Sequence, residues 1–142
     1  MINAKAIGLA RARDLHQIII SGTVVTMWPE INARRGWRLM GEALVTENPN
    51  DKYPDIVIKD EHKRLVFSME ITRRDYIWRD RQKCLQLQQR FPWAEFYIYN
   101  YETDVLCALG EDGQWYNSQD YEIRSRLFER PLLDYIYVPE EY

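Results

Sequence analysis

The chain has 142 residues and a formal net charge of −3, with 29% charged and 46% hydrophobic positions, two Cys, five Trp and ten Tyr. That length suits one domain over residues 1–142, able to bury roughly two thirds of the surface its unfolded chain exposes without disulfides or structural metal. No apolar run approaches the roughly 20 residues of a membrane span, and the slight net acidity excludes a protein that coats nucleic acid by bulk charge.

From Asn3 to Ile20, the apolar residues Ala4, Ile7, Leu9, Ala12 and Leu15 are set among Arg11, Arg13 and Asp14, which predicts an amphipathic helix running into Ile18-Ile19-Ile20. Ser21-Gly22 reads as a break and Thr23–Thr26 as a strand or extended link. Trp28-Pro29-Glu30 then opens a second helical pattern through about Leu44, with Pro at a tolerated first-turn position. Met1–Arg13 is charged and is followed by no signal-peptide core or cleavage site, so a cytoplasmic protein is expected. Cys84 and Cys107 have no partner at metal-ligand spacing, which fits small core residues in a reducing compartment. His16 in a polar helix and His62 in a turn read as solvated side chains rather than ligands.

Glu47–Lys52 is a polar turn cluster, with a short strand expected before it at Leu44–Thr46. Tyr53-Pro54-Asp55-Ile56-Val57-Ile58 and Leu65-Val66-Phe67-Ser68-Met69-Glu70-Ile71-Thr72 flank a run, Lys59–Arg64, that is too polar to bury, so strand, turn, strand is the prediction. The hairpin sets two carboxylates, Asp55 and Glu70, in neighbouring strands. A carboxylate at the end of an apolar strand is costly to desolvate. A hard cation such as Mg²⁺ offsets that cost while keeping waters for chemistry, which makes metal-assisted hydrolysis the reaction class suggested.

Arg73 to Arg90 has no Gly, no Pro and no strand alternation, and predicts a helix stopped by Phe91-Pro92. Arg73, Arg74, Arg79, Arg81 and Lys83 make a local basic patch on an acidic chain. It can attract phosphate beside a metal site, or pair with Asp75 and Asp80 on an exposed face. Strands are predicted at Glu95–Tyr101 and Val105–Leu109, turned by Glu102-Thr103-Asp104, and Glu111–Gln114 leads by another hairpin to Trp115-Tyr116. The aromatic run Phe96–Tyr101 suits a sheet covered on one face and wet on the other, with base stacking as the second reading. The tail from Asp120 to Tyr142 carries Ile123, Leu127, Phe128, Leu132 and Leu133, enough for a cover helix or an irregular flap closing the core.

Pro54-Asp55, Glu70 and the helix bearing Lys83, in that order, resemble the PD-(D/E)xK superfamily of restriction-endonuclease-like nucleases. The nearest likeness is to small bacterial domains designated putative restriction endonucleases. In these the glutamate strand runs into Ser/Thr-Arg-Arg-Asp, then a helix with a Lys, then a Glu-aromatic-aromatic-Ile strand. Here those features are Glu70-Ile71-Thr72-Arg73-Arg74-Asp75, then Asp80 and Lys83, then Glu95-Phe96-Tyr97-Ile98-Tyr99, and Glu122–Phe128 is similar to the closing segment.

The resemblance implies an α/β (α+β) fold with a mixed central β-sheet flanked by helices, and a Mg²⁺- or Mn²⁺-dependent endonuclease hydrolysing phosphodiester bonds in DNA. Asp55, Glu70 and the main-chain carbonyl of Ile71 would hold the metal, Lys83 would act on the attacking water, and Arg73, Arg74, Arg79 and Arg81 would meet the nucleic acid. Glu30 and Glu42 are the candidates for an acid from the first helix. Thr72 stands where the common motif has its Lys, and a hydroxyl cannot supply positive charge, so Lys83 must reach back from the following helix. A binding module that keeps the fold without the reaction is the alternative function, and a structural subunit the third. A homodimer would suit cutting of both strands of a duplex.

Overall fold

In a computed structural model of the chain, residues 4–41 and 54–140 are described, the side chains of residues 4–14 and of Asp75 apart. The elements are α1 (Ala4–Asn32), β1 (Arg38–Gly41), β2 (Ile56–Lys59), β3 (Leu65–Thr72), α2 (Ile77–Arg90), β4 (Glu95–Asn100), β5 (Val105–Leu109) and β6 (Trp115–Asn117). The strands form one six-stranded sheet in sequence order, in which β3 and β4 are parallel and the other neighbouring pairs antiparallel. A parallel pair needs a crossover, and α2 supplies it. The mixed sheet with helices on its faces is the architecture expected from the sequence.

Strand period two decides which residues meet which helix. Phe67, Met69 and Ile71 of β3 join Ile19, Ile20, Met27 and Ile31 of α1 in one core, together with Ile123, Phe128, Leu132 and Tyr135 from the C-terminal segment. Phe96 and Ile98 of β4 pack with Cys84 and Leu87 of α2 in the other. Glu70 pairs with Ile98 and Thr72 with Asn100, which places both on the α2 side at the carboxyl ends of β3 and β4. Covered on both faces, β4 is buried from Phe96 to Asn100, so its aromatic run is dry rather than wet on one side.

The N-terminal half departs from its sequence pattern. No break forms at Ser21-Gly22: α1 is continuous, Thr23–Thr26 is helical, and where a second helix was expected the chain turns into β1. Ile20, Thr23, Met27 and Ile31 are buried at three- and four-residue spacing, and that unbroken stripe outweighs the poor helix propensity of the Thr-Val-Val-Thr segment. Pro29 lies in the last turn, where the bond it cannot donate would have gone to the carbonyl of Val25, a residue on the solvent side. The expected strand at Leu44–Thr46 and turn at Glu47–Lys52 lie outside the described residues.

Gly22 serves packing instead. A Cβ there would stand 2.2 Å from Cδ1 of Tyr137 and 2.9 Å from its Cβ. Gly22→Ala, which in a free helix would gain about 1 kcal/mol, is therefore expected to lose about 1–2 kcal/mol to this overlap. Urea denaturation measures it, and a net gain would show that Tyr137 swings aside without cost.

The tail is the irregular flap, with one short 3-10 turn at Leu132–Tyr135. It is tied along α1 by Tyr137 N donating to Thr23 Oγ1 at 3.0 Å, by Arg34 Nη2 donating to the Leu127 carbonyl at 2.9 Å, and by Glu129 N and Tyr135 Oη donating to Glu30. The β2–β3 turn also differs from expectation in one residue. Asp60 is buried, because its Oδ1 accepts from the backbone N–H groups of His62 (2.9 Å) and Arg64 (3.0 Å) and so closes the turn.

Candidate active site

Asp55 immediately precedes β2, and the antiparallel register that pairs Ile56 with Met69 carries it to the end of β3. There its Oδ2 accepts a 2.7 Å hydrogen bond from the backbone N–H of Ile71. Glu70, one residue earlier on β3, projects to the α2 face. Lys83 comes down from α2 with its Nζ 2.9 Å from Glu70 Oε1, both side chains largely buried. The structure thus brings Asp55, Glu70, Ile71 and Lys83 to one place, from two strands and a helix.

Burial pushes the Glu70 carboxyl up to about 7, against the pull of Lys83 and with Asp55 and Asp80 adding to the rise. Asp80, one turn before Lys83 on α2, is buried with Arg79 Nε 3.8 Å from its Oδ1. Three carboxylates therefore share this region with the Lys83 amine, an arrangement with room for further positive charge.

His16 belongs to the site, contrary to the expectation of a solvated side chain. Its Nε2 is 2.9 Å from the carbonyl oxygen of Ile71 and 3.4 Å from Asp55 Oδ2, and its ring meets Tyr101 edge-on at 6.5 Å. The sequence does carry a signal for it. His16 stands four residues before Ile20 and seven before Thr23, on the same buried stripe of α1, so the helix that packs the sheet also delivers an imidazole to its end.

The donor set suits a hard divalent cation of modest coordination demand. Asp55, Glu70 and the Ile71 carbonyl are oxygen donors, and His16 Nε2 lies against two of them. Among the described residues no three His, Cys, Asp or Glu side chains form a ready cage. Two carboxylates, a carbonyl and retained waters is how Mg²⁺ is commonly held, so the residues fit that ion better than a structural metal.

The other sequence candidates divide. Arg73 and Arg79 lie with their guanidinium carbons 5.0 Å and 4.5 Å from the Tyr76 ring centre, and Arg74 is exposed between them. Arg81 stands over Trp115 at 5.5 Å, on the side of α2 toward β6, away from that group. Glu30 is not at the site, since both its carboxylate oxygens are taken by the tail. Glu42 lies outside the described residues.

No protein-family model matches the chain, and no curated protein matches it either. Among solved structures, a protein from Anabaena variabilis ATCC 29413 described as a "putative nuclease belonging to DUF820" superposes with a TM-score of 0.62 at 12% sequence identity, over 84% of this chain and 79% of that one. The six-stranded mixed sheet and the two helices among the described residues thus share that protein's fold. No helix among the described residues is long and apolar enough to cross a membrane.

Proposed function

We propose that the chain is a metal-dependent nuclease acting on DNA, of the PD-(D/E)xK kind, with Asp55, Glu70 and Lys83 at its catalytic centre. The observation that carries this reading is the 2.9 Å approach of Lys83 Nζ to Glu70, which delivers from α2 the amine that Thr72 cannot supply from β3. The fold likeness to a protein described as a "putative nuclease" supports it.

Asp55, Glu70 and the Ile71 carbonyl would hold Mg²⁺ or Mn²⁺, which when bound lowers the pKa of a water and neutralises phosphodiester charge. The N–H of Ile71 fixes the rotamer of Asp55, so one carboxylate is oriented before substrate arrives. Lys83 keeps a positive charge beside the place where an attacking oxygen would stand and can donate a hydrogen bond to it. Burial of the pair limits the water that would screen that charge. Arg73 and Arg79, at the mouth of the β3–α2 connection, can hold backbone phosphate.

The test is nicking of supercoiled plasmid and cutting of labelled single-stranded DNA with Mg²⁺ or Mn²⁺. The expected result is cleavage that stops with EDTA and returns when metal is restored. Absence of cleavage of either substrate in both metals, with the protein folded, would overturn the reading in favour of a binding module.

A further inference from the structure

Beyond the catalytic cluster, the most unusual surface of the chain is the connection from β3 into α2. Two large aromatic residues stand in solvent there, Tyr76 at 37% and Trp78 at 74% exposure, and Trp78 is the most exposed of the large hydrophobic residues described. An indole left this open forgoes one of the largest apolar burials a side chain can make. Arginines crowd the neighbouring Tyr76. Arg73 and Arg79 both lie against the Tyr76 ring, at 5.0 Å and 4.5 Å, and Arg73 Nη2 is 3.3 Å from the Tyr76 hydroxyl. One aromatic ring thus holds together two cations that would otherwise repel each other, with exposed Arg74 beside them.

We propose that this connection is a docking platform for single-stranded nucleic acid, with an unpaired base stacked on Trp78 and the adjoining phosphates held by Arg73 and Arg79. The proposal rests on the nuclease reading for the polyanion and deepens it by naming the substrate class. Two physical arguments favour a single strand. In a duplex both faces of every internal base are covered by neighbouring pairs, so an indole on a convex helix surface has nothing to stack on, whereas every unpaired base offers a π-face. Position agrees as well. Arg73 follows Ile71 by two residues at the end of β3, so phosphates held by Arg73 lie close to the catalytic cluster, while Trp78, five residues and about 140° around α2 from Lys83, stands on the outer face of the same helix. A second copy of this chain is a poor occupant, because a two-fold contact through the patch would set one arginine cluster against its own image.

The test is binding in EDTA, where cleavage cannot occur, read by anisotropy of fluorescein-labelled oligothymidine and of a blunt hairpin duplex. The expected result is tighter binding of oligothymidine, weakened about tenfold by Trp78→Ala, largely kept by Trp78→Phe, and a duplex affinity that Trp78→Ala leaves within about twofold. Circular dichroism would establish that the variants are folded, which the exposure of Trp78 favours. If Trp78→Ala changes neither affinity while Arg79→Ala weakens both, binding is electrostatic and the platform is overturned with the nuclease reading intact. If the protein binds neither nucleic acid, the platform is overturned, and the cleavage assay with Mg²⁺ or Mn²⁺ decides the nuclease reading separately. If Trp78→Ala instead converts a dimer to a monomer in gel filtration without affecting oligothymidine, the patch is a self-association surface and the proposal is wrong.

Discussion

Glu70→Gln is expected to stabilise the metal-free protein at pH 8 by about 1–3 kcal/mol while abolishing cleavage. The carboxyl is pushed from its ordinary 4.5 up to about 7, chiefly by burial. At low pH both folded and unfolded chains carry the proton and the site costs nothing. As pH rises through 4.5 the unfolded chain ionises first, so stability falls, and above about 7 the full penalty is in place. Gln carries no such penalty; the attraction of Lys83 is already contained in the rise to about 7, and the poorer fit of an amide beside the Lys83 amine sets the lower end of the range. The advantage of the variant should therefore be absent near pH 4, grow through pH 7 and level off beyond it. Urea denaturation in EDTA at several pH values measures this. A variant less stable than wild type by the same amount at pH 5 and pH 8 would mean that the Glu70–Lys83 pair is net favourable and the carboxyl is not strained by burial. Mg²⁺ should narrow the gap by stabilising the wild type alone, as expected of a site whose ionised form a cation completes.

How much of this was readable in the sequence depends on the range of the interaction. The β2–β3 hairpin, α2 and the β4–β5–β6 meander are legible because their signals are local: alternating apolar residues, polar turns, and a Gly- and Pro-free run ending at Phe91-Pro92. Asp55, Glu70 and Lys83 follow from those elements. α1 misleads because Gly22 has the local look of a breaker and a tertiary job, receiving a ring from 115 positions downstream in the chain. His16 is hidden for the same reason, since its contact is with Ile71, 55 residues away. Glu30 looks like any other helix acid until the tail is seen to occupy both its oxygens. Asp80 reads as one more surface charge on a polar helix, and only the folded chain shows that it is buried, close enough to Glu70 to raise its carboxyl.

Lys83→Ala is expected to reduce metal-dependent cleavage by about 10²–10³-fold, the range seen when one positioned donor is removed from a developing charge, with the loss in kcat rather than KM. The fold should survive. Glu70, already pushed up to about 7, would rise further without its cation and protonate, so no buried charge is left unpaired at neutral pH. The sharper experiment adds Thr72→Lys. Thr72 is two residues after Glu70 on the same face of β3, about 6.6 Å along the strand, within reach of a lysine side chain. It is buried, so in the wild type a lysine there would compete with Lys83 for space and for Glu70. In the Lys83→Ala background both constraints are lifted. The double variant should then recover part of the lost rate, about tenfold, and not all of it, because small misplacement of a catalytic group is itself costly. Such rescue would show that the chemistry needs an amine at Glu70 and is indifferent to the element that carries it. Cleavage by Lys83→Ala within about twofold of wild type would sink the idea, leaving Lys83 as the electrostatic balance for a buried acid and nothing more.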